Sequence, residues 1–247
     1  MVYFMGGEGA ETGVEMSSFE KKPVRVKEVE MLPIDKIKPH EEVDNDEMES
    51  FKNSLSDKGV FYKPILVAKM DEGNYMIVDG THRWAGLKDM GAEKIPGIVL
   101  DYHDDSEVKL YAWYPITDEP IDKILSILEN VEEAEFEKLS RDNALERLDE
   151  SEFILTDDEK SFLVKGNHRA MFMALVDEGV SFTYADEKEK ALEMAEEEGK
   201  TCLIRRTPEK EEVLDTVSKG NYMPPKGTRH WLPYKYPHIY FKTEDLV

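Results

Sequence analysis

The sequence of 247 residues contains a single cysteine, Cys202, and its 32 Lys and Arg residues are far outnumbered by 54 Asp and Glu residues. One cysteine cannot form an internal disulfide, and no Cys/His cluster has the spacing of a zinc site. No apolar run is long enough to span a bilayer. These absences argue against disulfide-stapled, zinc-binding and membrane-spanning proteins, and they predict a cytoplasmic location.

The formal net charge of -22 repels polyanions, which disfavours nonspecific binding to nucleic acids. Any phosphate-binding site must therefore be built locally from a few basic side chains and backbone N–H groups. A hydrophobic content of 40% is enough for one large domain or two modest ones with packed cores.

Helical and strand patterns alternate along the chain, which predicts a mixed α+β fold. We expect a loose N-terminal leader (1–25), a first domain (26–116) and a smaller α+β domain (117–247). A composition change after residue 116 and a very acidic stretch, 129–152, mark the predicted boundary.

Local patterns place the main elements of the first domain. A strand runs into a turn at Pro39, and a helix capped by Asn45-Asp46 stops at Gly59. Residues 64–68 and 75–78 form a predicted hairpin, and residues 108–114 a later strand. In the second domain we predict a helix over 121–128, a hairpin about 157–158, a strand over 201–205 between Glu-rich helices, and an irregular Pro/Gly-rich tail from Gly220.

The second strand of the hairpin leads into Asp79-Gly80, after which a helical pattern begins at Thr81, a residue that can cap it. A strand that turns into a helix leaves unpaired N–H groups at the positive end of the helix dipole, which is a favourable anion site. Arg83 and His82, in the first turn, can add phosphate donors. The alternative is a purely structural turn in which Arg83 forms a surface ion pair.

The run YMIVDGTHRWAGLKDMGAEKIP (75–96) resembles the core motif of the ParB/sulfiredoxin-like superfamily. Four further segments are similar in content and order to the archaeal ADP-dependent free serine kinases: KPHEEV (38–43), GVFYKPILVAK (59–69), LDYHDDSEVKLYAWYP (100–115) and PPKGTRHWLP (224–233). The resemblance implies a ParB/sulfiredoxin-like nucleotide-binding domain plus the smaller α+β domain, with the active site in the cleft between them.

The resemblance also implies a reaction, in which L-serine attacks the β-phosphorus of ADP with the help of Mg²⁺ to give O-phospho-L-serine and AMP. Glu41 would be the general base, because the family has a Glu in its Pro-His-Glu segment. Asp79 would orient the hydroxyl, position Glu41 or hold Mg²⁺, with capping of the next helix as its structural alternative. Gly80, Thr81, His82 and Arg83 would bind the phosphates, and Lys63 would be either a further phosphate contact or a surface lysine.

Family members commonly have a second histidine where this chain has Thr81, so a hydroxyl replaces an imidazole donor. The tail is expected to bind the serine carboxylate through positive donors: Lys226, Thr228, Arg229 and His230. Trp113 would wall the serine pocket, unless it belongs to the core. No partner can be named for His40, and Cys202 is expected to be a buried apolar side chain.

Three alternatives remain open at this stage. ATP could replace ADP as the donor, since donor choice rests wholly on the resemblance. A ParB-like, nucleotide-dependent DNA-binding protein shares the loop topology, but the chain has no evident basic helix-turn-helix segment. A nonenzymatic nucleotide sensor would not need a base such as Glu41. The metal ligands, adenine pocket and oligomeric state are not predicted.

Overall fold

The computed structural model describes residues 22–247. Most of the predicted leader, residues 1–21, lies outside this range. Its last residues are part of the fold, because the Arg25 N–H donates to the carbonyl of Lys235 at 2.9 Å and the Lys235 N–H donates to the carbonyl of Pro23 at 2.9 Å. The C-terminal tail therefore pairs with the start of the described chain.

Between residues 22 and 113 the chain forms nine β-strands and α-helices before it crosses to a second sheet. They are β1 (Glu30–Pro33), β2 (Ile37–Lys38), α1 (Asn45–Lys58), β3 (Val60–Phe61), β4 (Ile65–Lys69), β5 (Tyr75–Asp79), α2 (Thr81–Asp89), β6 (Lys94–Leu100) and β7 (Lys109–Tyr111). Five of these strands form a mixed sheet in the order β1-β6-β4-β5-β2. The β4–β5 hairpin is antiparallel, as predicted, whereas β2 runs parallel to β5.

Both faces of this first sheet are covered. Alternate residues of β4 point to opposite faces: Ile65 and Val67 pack with α1 and α2, whereas Leu66 and Ala68 pack in a second cluster. The second cluster includes Val213 of a later helix. A sheet buried on both sides explains the continuous apolar run of β4.

The remaining elements form a second sheet with its four helices, followed by one more helix and two short strands. They are β8 (Tyr114–Thr117), α3 (Ile121–Leu128), β9 (Glu135–Leu139), α4 (Arg141–Glu146), β10 (Phe153–Thr156), β11 (Ser161–Lys165), α5 (His168–Asp177), β12 (Thr183–Ala185), α6 (Lys188–Glu198), β13 (Thr201–Arg205), α7 (Lys210–Ser218), β14 (Arg229–Trp231) and β15 (Phe241–Lys242). The second sheet has the order β12-β8-β13-β10-β11-β9 and every pairing is antiparallel. Helices α3 and α5 cover one face, and α4 and α6 the other.

The division of the chain differs from the predicted one in two ways. The strand predicted over 108–114 is broken, because Ala112 and Trp113 lie between β7 and β8, and β8 belongs to the second sheet. A boundary after residue 116 therefore falls inside β8. Helix α7 and the tail follow the second sheet in sequence but pack on the first one. The tail also forms short strands, since β14 pairs with β7 and β15 with β3.

One local prediction needs correction, and one acidic segment gains a structure. The cap of α1 is Asp44, whose side chain accepts the N–H groups of Asp46 and Glu47, and not the Asn45-Asp46 pair. The acidic 129–152 stretch contains β9, an edge strand, and α4. Charged side chains at a sheet edge oppose pairing with another chain, which is a structural reason for the acidity of β9.

Candidate active site

The strand-to-helix turn at Gly80 has the geometry of an anion site. Gly80 has φ 112°, and α2 begins directly after it with no side chain capping its N–H groups. A Cβ at Gly80 would lie 2.6 Å from Nη2 of Arg83 and 2.7 Å from Cγ2 of Ile65. Both the backbone conformation and the close approach of Arg83 therefore require glycine here.

Asp79, Arg83 and Lys63 form one charged cluster at the end of β5. Oδ2 of Asp79 accepts from Nη2 of Arg83 at 3.0 Å and lies 3.2 Å from Nζ of Lys63. Burial would raise the pKa of Asp79, but the charges of Arg83 and Lys63 outweigh it and hold that pKa below its usual value. Two cations thus converge on the helix N-terminus, where a phosphate could replace the carboxylate as their partner.

Neither Thr81 nor Asp79 caps α2, and His82 faces α1. Thr81 is the first residue of α2 and does not cap it, because Gly80 is the cap residue and no side chain supplies the bond. Asp79 does not cap the helix either, since its carboxylate faces Arg83. His82 lies on the α1 side, where its Nδ1 is 3.0 Å from Oε2 of Glu47.

Glu41 reaches the same edge of the sheet because β2 is the parallel neighbour of β5, so both strands end there. His40 anchors the loop, with its Nδ1 at 2.8 Å from the carbonyl of Ile77. Thr228 donates its Oγ1–H to Oε1 of Glu41 at 2.8 Å, and the Lys226 N–H donates to Oε2 at 3.2 Å. The Glu41 carboxylate is therefore held by the tail.

Arg229 lies at the junction of the two sheets. Its guanidinium is 3.3 Å from Oδ2 of Asp186 and stacks over the Trp113 ring at 5.2 Å from the centroid. Trp113 is half-buried at this position. The aromatic ring and the cation thus lie together, as a pocket for a small amino acid would require.

His230 does not supply the positive charge that we predicted. Its Nε2 lies 2.8 Å from the hydroxyl of Tyr102, and its ring packs edge-on against His40 with 4.8 Å between centroids. Burial, reinforced by the neighbouring His40 and Lys210, holds the pKa of His230 well below its usual value. His230 is therefore neutral at pH 7, and it packs against His40 in the loop that carries Glu41.

Two functional candidates were missed by the sequence reasoning. His40 lies 3.7 Å from Oε1 of Glu41, and its position directly before Glu41 was the available signal. Arg205 is buried under the tail, with only 1% of its surface exposed. Nothing in the strand sequence around Arg205 distinguished it from the neighbouring Arg206. Cys202, by contrast, is buried as expected, and burial raises the pKa of its thiol to about 12.

Two cavities flank the Asp79 cluster. One of about 530 Å³ lies between Lys63, Asp79 and the tail, where Tyr234 and Tyr236 line it. The other, of about 180 Å³, lies between Arg83 and Phe51 of α1. Within residues 22–247 no group of three or more His, Cys, Asp or Glu side chains could hold a metal ion, and no helix there is long and apolar enough to cross a membrane.

The chain is similar to proteins of known function. Residues 18–113 match the model of the ParB N-terminal domain. The ADP-dependent L-serine kinase SerK of Thermococcus kodakarensis is 36% identical over 95% of this chain and 99% of its own length. The chain belongs to the L-serine kinase family.

Other L-serine kinases match over most of the chain. The ATP-dependent L-serine kinase of Staphylothermus marinus is 32% identical over 86% of this chain and 88% of its own. A solved free serine kinase in complex with AMP has a TM-score of 0.81 at 34% identity, covering 95% of this chain and all of the other. The predicted mixed α+β, ParB/sulfiredoxin-like fold is therefore confirmed, and this member of the L-serine kinase family is a phosphotransferase.

Proposed function

We propose that the chain transfers the β-phosphate of ADP to the hydroxyl of free L-serine, giving O-phospho-L-serine and AMP. The observation that carries the proposal is that Glu41, held by the tail, lies at the same sheet edge as the Asp79–Arg83 turn. L-serine kinases that are relatives of this chain use either ADP or ATP by name. ADP is proposed because the ADP-dependent relative is the more similar of these two and covers more of the chain.

Glu41 is the proposed general base. The serine oxygen attacks the β-phosphorus while its proton moves to a Glu41 oxygen. Each Glu41 oxygen already accepts a hydrogen bond from the tail, which orients the carboxylate. A base positioned in this way contributes about 10²- to 10⁴-fold to the rate.

The turn at Gly80 is the proposed phosphate site. As the bond from the β-phosphorus to the bridging oxygen breaks, charge develops on the departing AMP and on the transferred group. The uncapped N–H groups of α2, with Arg83 and Lys63, would stabilise that charge. His82 and Thr81 are the remaining proposed donors of this turn.

Mg²⁺ commonly takes most of its ligands from phosphates and water, with one or two carboxylates from the protein. Asp79 fits this pattern, since it is a partly exposed carboxylate beside the phosphate turn, whereas a full protein cage is not present among residues 22–247. Asp79 would hold the ion, which would neutralise phosphate charge. Lys63 and Arg83 keep Asp79 ionised for that role.

The serine is proposed to lie between Glu41 and the tail. Arg229 and Lys226 would bind the carboxylate, and Trp113 would wall the pocket under Arg229. Thr228 would connect serine binding by the tail with the proposed base, because its hydroxyl donates directly to Glu41. Neutral His230, packed on His40, supports this wall of the pocket.

The test is to incubate the purified protein with L-serine, Mg²⁺ and either ADP or ATP, and to follow O-phosphoserine by phosphorus NMR. We expect product with ADP, and a loss of about 10²- to 10⁴-fold in kcat for Glu41→Gln. Glu42→Gln is the matched control, because Glu42 is the adjacent carboxylate and pairs with Arg169 instead of the tail.

The outcomes separate the parts of the proposal. No product with either nucleotide would refute the kinase function. Full activity in Glu41→Gln would remove Glu41 as the base, and product with ATP but not ADP would overturn the donor only.

A further inference from the structure

Arg205 is a buried charge with an unusual set of partners. It is the last residue of β13, and only 1% of its surface is exposed. Its guanidinium packs over the Phe172 ring at 4.5 Å from the centroid. Arginine is rarely buried to this degree unless its N–H groups have a specific use, because removing a charge from water is costly.

The partners of Arg205 are backbone carbonyls of the tail. Its Nη1 donates to the carbonyl of Lys226 at 2.9 Å and to that of Pro225 at 3.3 Å. The N–H of the same Lys226 donates to Glu41. Arg205 therefore binds the carbonyl of Lys226, and Glu41 binds the N–H of the same residue.

The conformation of Lys226 makes this arrangement possible and needs support. Lys226 has φ 52°, in the left-handed region that residues other than glycine seldom adopt. Such a conformation persists only where surrounding contacts impose it. The two bonds from Arg205 are contacts of that kind. So are the three bonds from the tail to Glu41, which come from the Lys226 N–H, the Thr228 hydroxyl and the Thr228 N–H, the last at 3.4 Å.

Charge also links Arg205 to Glu41. Burial lowers the pKa of Arg205 to about 10, and the nearby Tyr184 and Glu41 oppose that shift, so Arg205 is positively charged at pH 7. Its Nε and Nη2 have no hydrogen-bond partner within the part of the chain that the structure describes. The Glu41 carboxylate therefore lies in the field of a cation that solvent does not screen.

We propose that Arg205 is a positioning residue for the phosphoryl transfer: it fixes the 225–228 segment so that the amides of Lys226 and Thr228 orient the Glu41 carboxylate. The inference rests on the proposed function of Glu41 as base. In this proposal Arg205 acts through the tail and the local charge.

The experiment compares Arg205→Met with Arg206→Met. Arg206 is the adjacent arginine, but it forms a two-point ion pair with Glu212 at 2.7 Å and does not bond the 225–228 segment. We expect kcat to fall about 100-fold in Arg205→Met, the loss typical of a misplaced catalytic group. The KM for ADP should stay the same, because the phosphate turn belongs to β5 and α2.

Rescue by lysine distinguishes positioning from a general loss of structure. The charged and polar groups facing Glu41 are His40 from its own loop, Tyr184 of β12, Arg205 of β13, and the tail with Lys226 and Thr228. Arg205→Lys keeps the charge and a donor for the carbonyl of Lys226, but it lacks the planar guanidinium that bonds both Lys226 and Pro225. It should therefore recover part of the kcat that Arg205→Met loses, and the KM for ADP should be unchanged in both variants.

Hydrogen exchange tests the anchor independently of activity. The amides of Lys226 and Thr228 should exchange at least tenfold faster in Arg205→Met than in Arg206→Met. Unchanged exchange, or unchanged kcat, would overturn the inference while leaving Glu41 as base. If Arg205→Met does not fold, Arg205→Lys decides, and wild-type kcat with wild-type exchange would overturn the inference.

If the wild type makes no product, or Glu41→Gln retains full activity, the proposed function fails instead. Hydrogen exchange in Arg205→Met and Arg206→Met would then still decide whether Arg205 anchors the tail.

Discussion

The chain contains two strand-to-helix turns with similar sequences, and they serve different ends. Gly80-Thr81-His82-Arg83 joins β5 to α2 in the first sheet, and Gly166-Asn167-His168-Arg169 joins β11 to α5 in the second. Both glycines have positive φ, 112° and 132°, and both helices carry His-Arg in the first turn. The local sequence alone would suggest an anion site at each turn.

The difference lies in what already occupies the helix N-terminus. Asn167 caps α5 by accepting the Ala170 N–H at 3.0 Å, whereas no side chain caps α2. His168 is enclosed, and burial, with the charges of Arg205 and Arg206, holds its pKa well below the usual value. An uncapped N-terminus remains available to phosphate, while a capped one beside a neutral histidine is structural.

The arginines make the same distinction. Arg83 folds back over Gly80 to Asp79 and stays at its own turn, together with Lys63. Arg169 reaches away to Glu42 in the other part of the molecule. We therefore propose only the Gly80 turn as a phosphate site, because there the cap is missing and the cations converge.

The largest difference in kcat should appear between variants that remove the arginine of one turn or of the other. Arg83→Met should lower kcat with ADP about 10²- to 10³-fold, the loss usual for one preorganised donor to developing charge. Arg169→Met removes a partly exposed ion pair, usually worth about 1 kcal/mol or less, and should change kcat less than about fivefold. Steady-state kinetics check both. Equal losses would break the comparison and make the α5 turn part of the active site.

The glycines should give an intermediate effect. Gly80→Ala and Gly166→Ala each force alanine into a left-handed conformation, which costs on the order of 1–3 kcal/mol, and each new Cβ meets an atom closer than 3 Å. Thermal unfolding should therefore shift down in both variants. Only Gly80→Ala should also raise the KM for ADP, because its Cβ displaces Arg83. A raised KM in Gly166→Ala would contradict the assignment.

The smallest effect concerns the caps. Asn167→Ala removes a side-chain cap and should cost about 1 kcal/mol. That cost lowers the melting temperature by about 2–4 °C for a chain of this size. Thr81→Ala should cost less than half as much, because Thr81 makes no capping bond. Calorimetry of the two variants checks the difference, and a larger loss for Thr81→Ala would mean that Thr81 supports the turn after all.

Much of the fold could be predicted because the signals are local. The β4–β5 hairpin, α3, the β10–β11 hairpin and β13 are formed by residues whose apolar spacing and turn signals lie within a few positions. The break between β7 and β8 could not be predicted in this way. The residues from Lys109 to Thr117 have the composition of one continuous strand. The segment is divided because its first part pairs with β14 and its last part pairs with β12 and β13 of the second sheet.

The sequence by itself indicated a candidate anion turn. The positive φ of Gly80 favours glycine, and Arg83, in the first turn of α2, lies close enough in sequence to reach the Asp79 carboxylate at the end of β5. Order and content of the flanking segments also sufficed to indicate the family.

Tertiary structure alone decided how Glu41 is held. Glu41 and Thr228 are separated by 187 positions, and they meet because the tail leaves the second sheet and packs on the first. The same packing buries His230 until it is neutral and places Arg205 beneath the tail. Charge state and long-range contacts depend on what surrounds a side chain in space, and neither the composition nor the spacing of a segment contains that information.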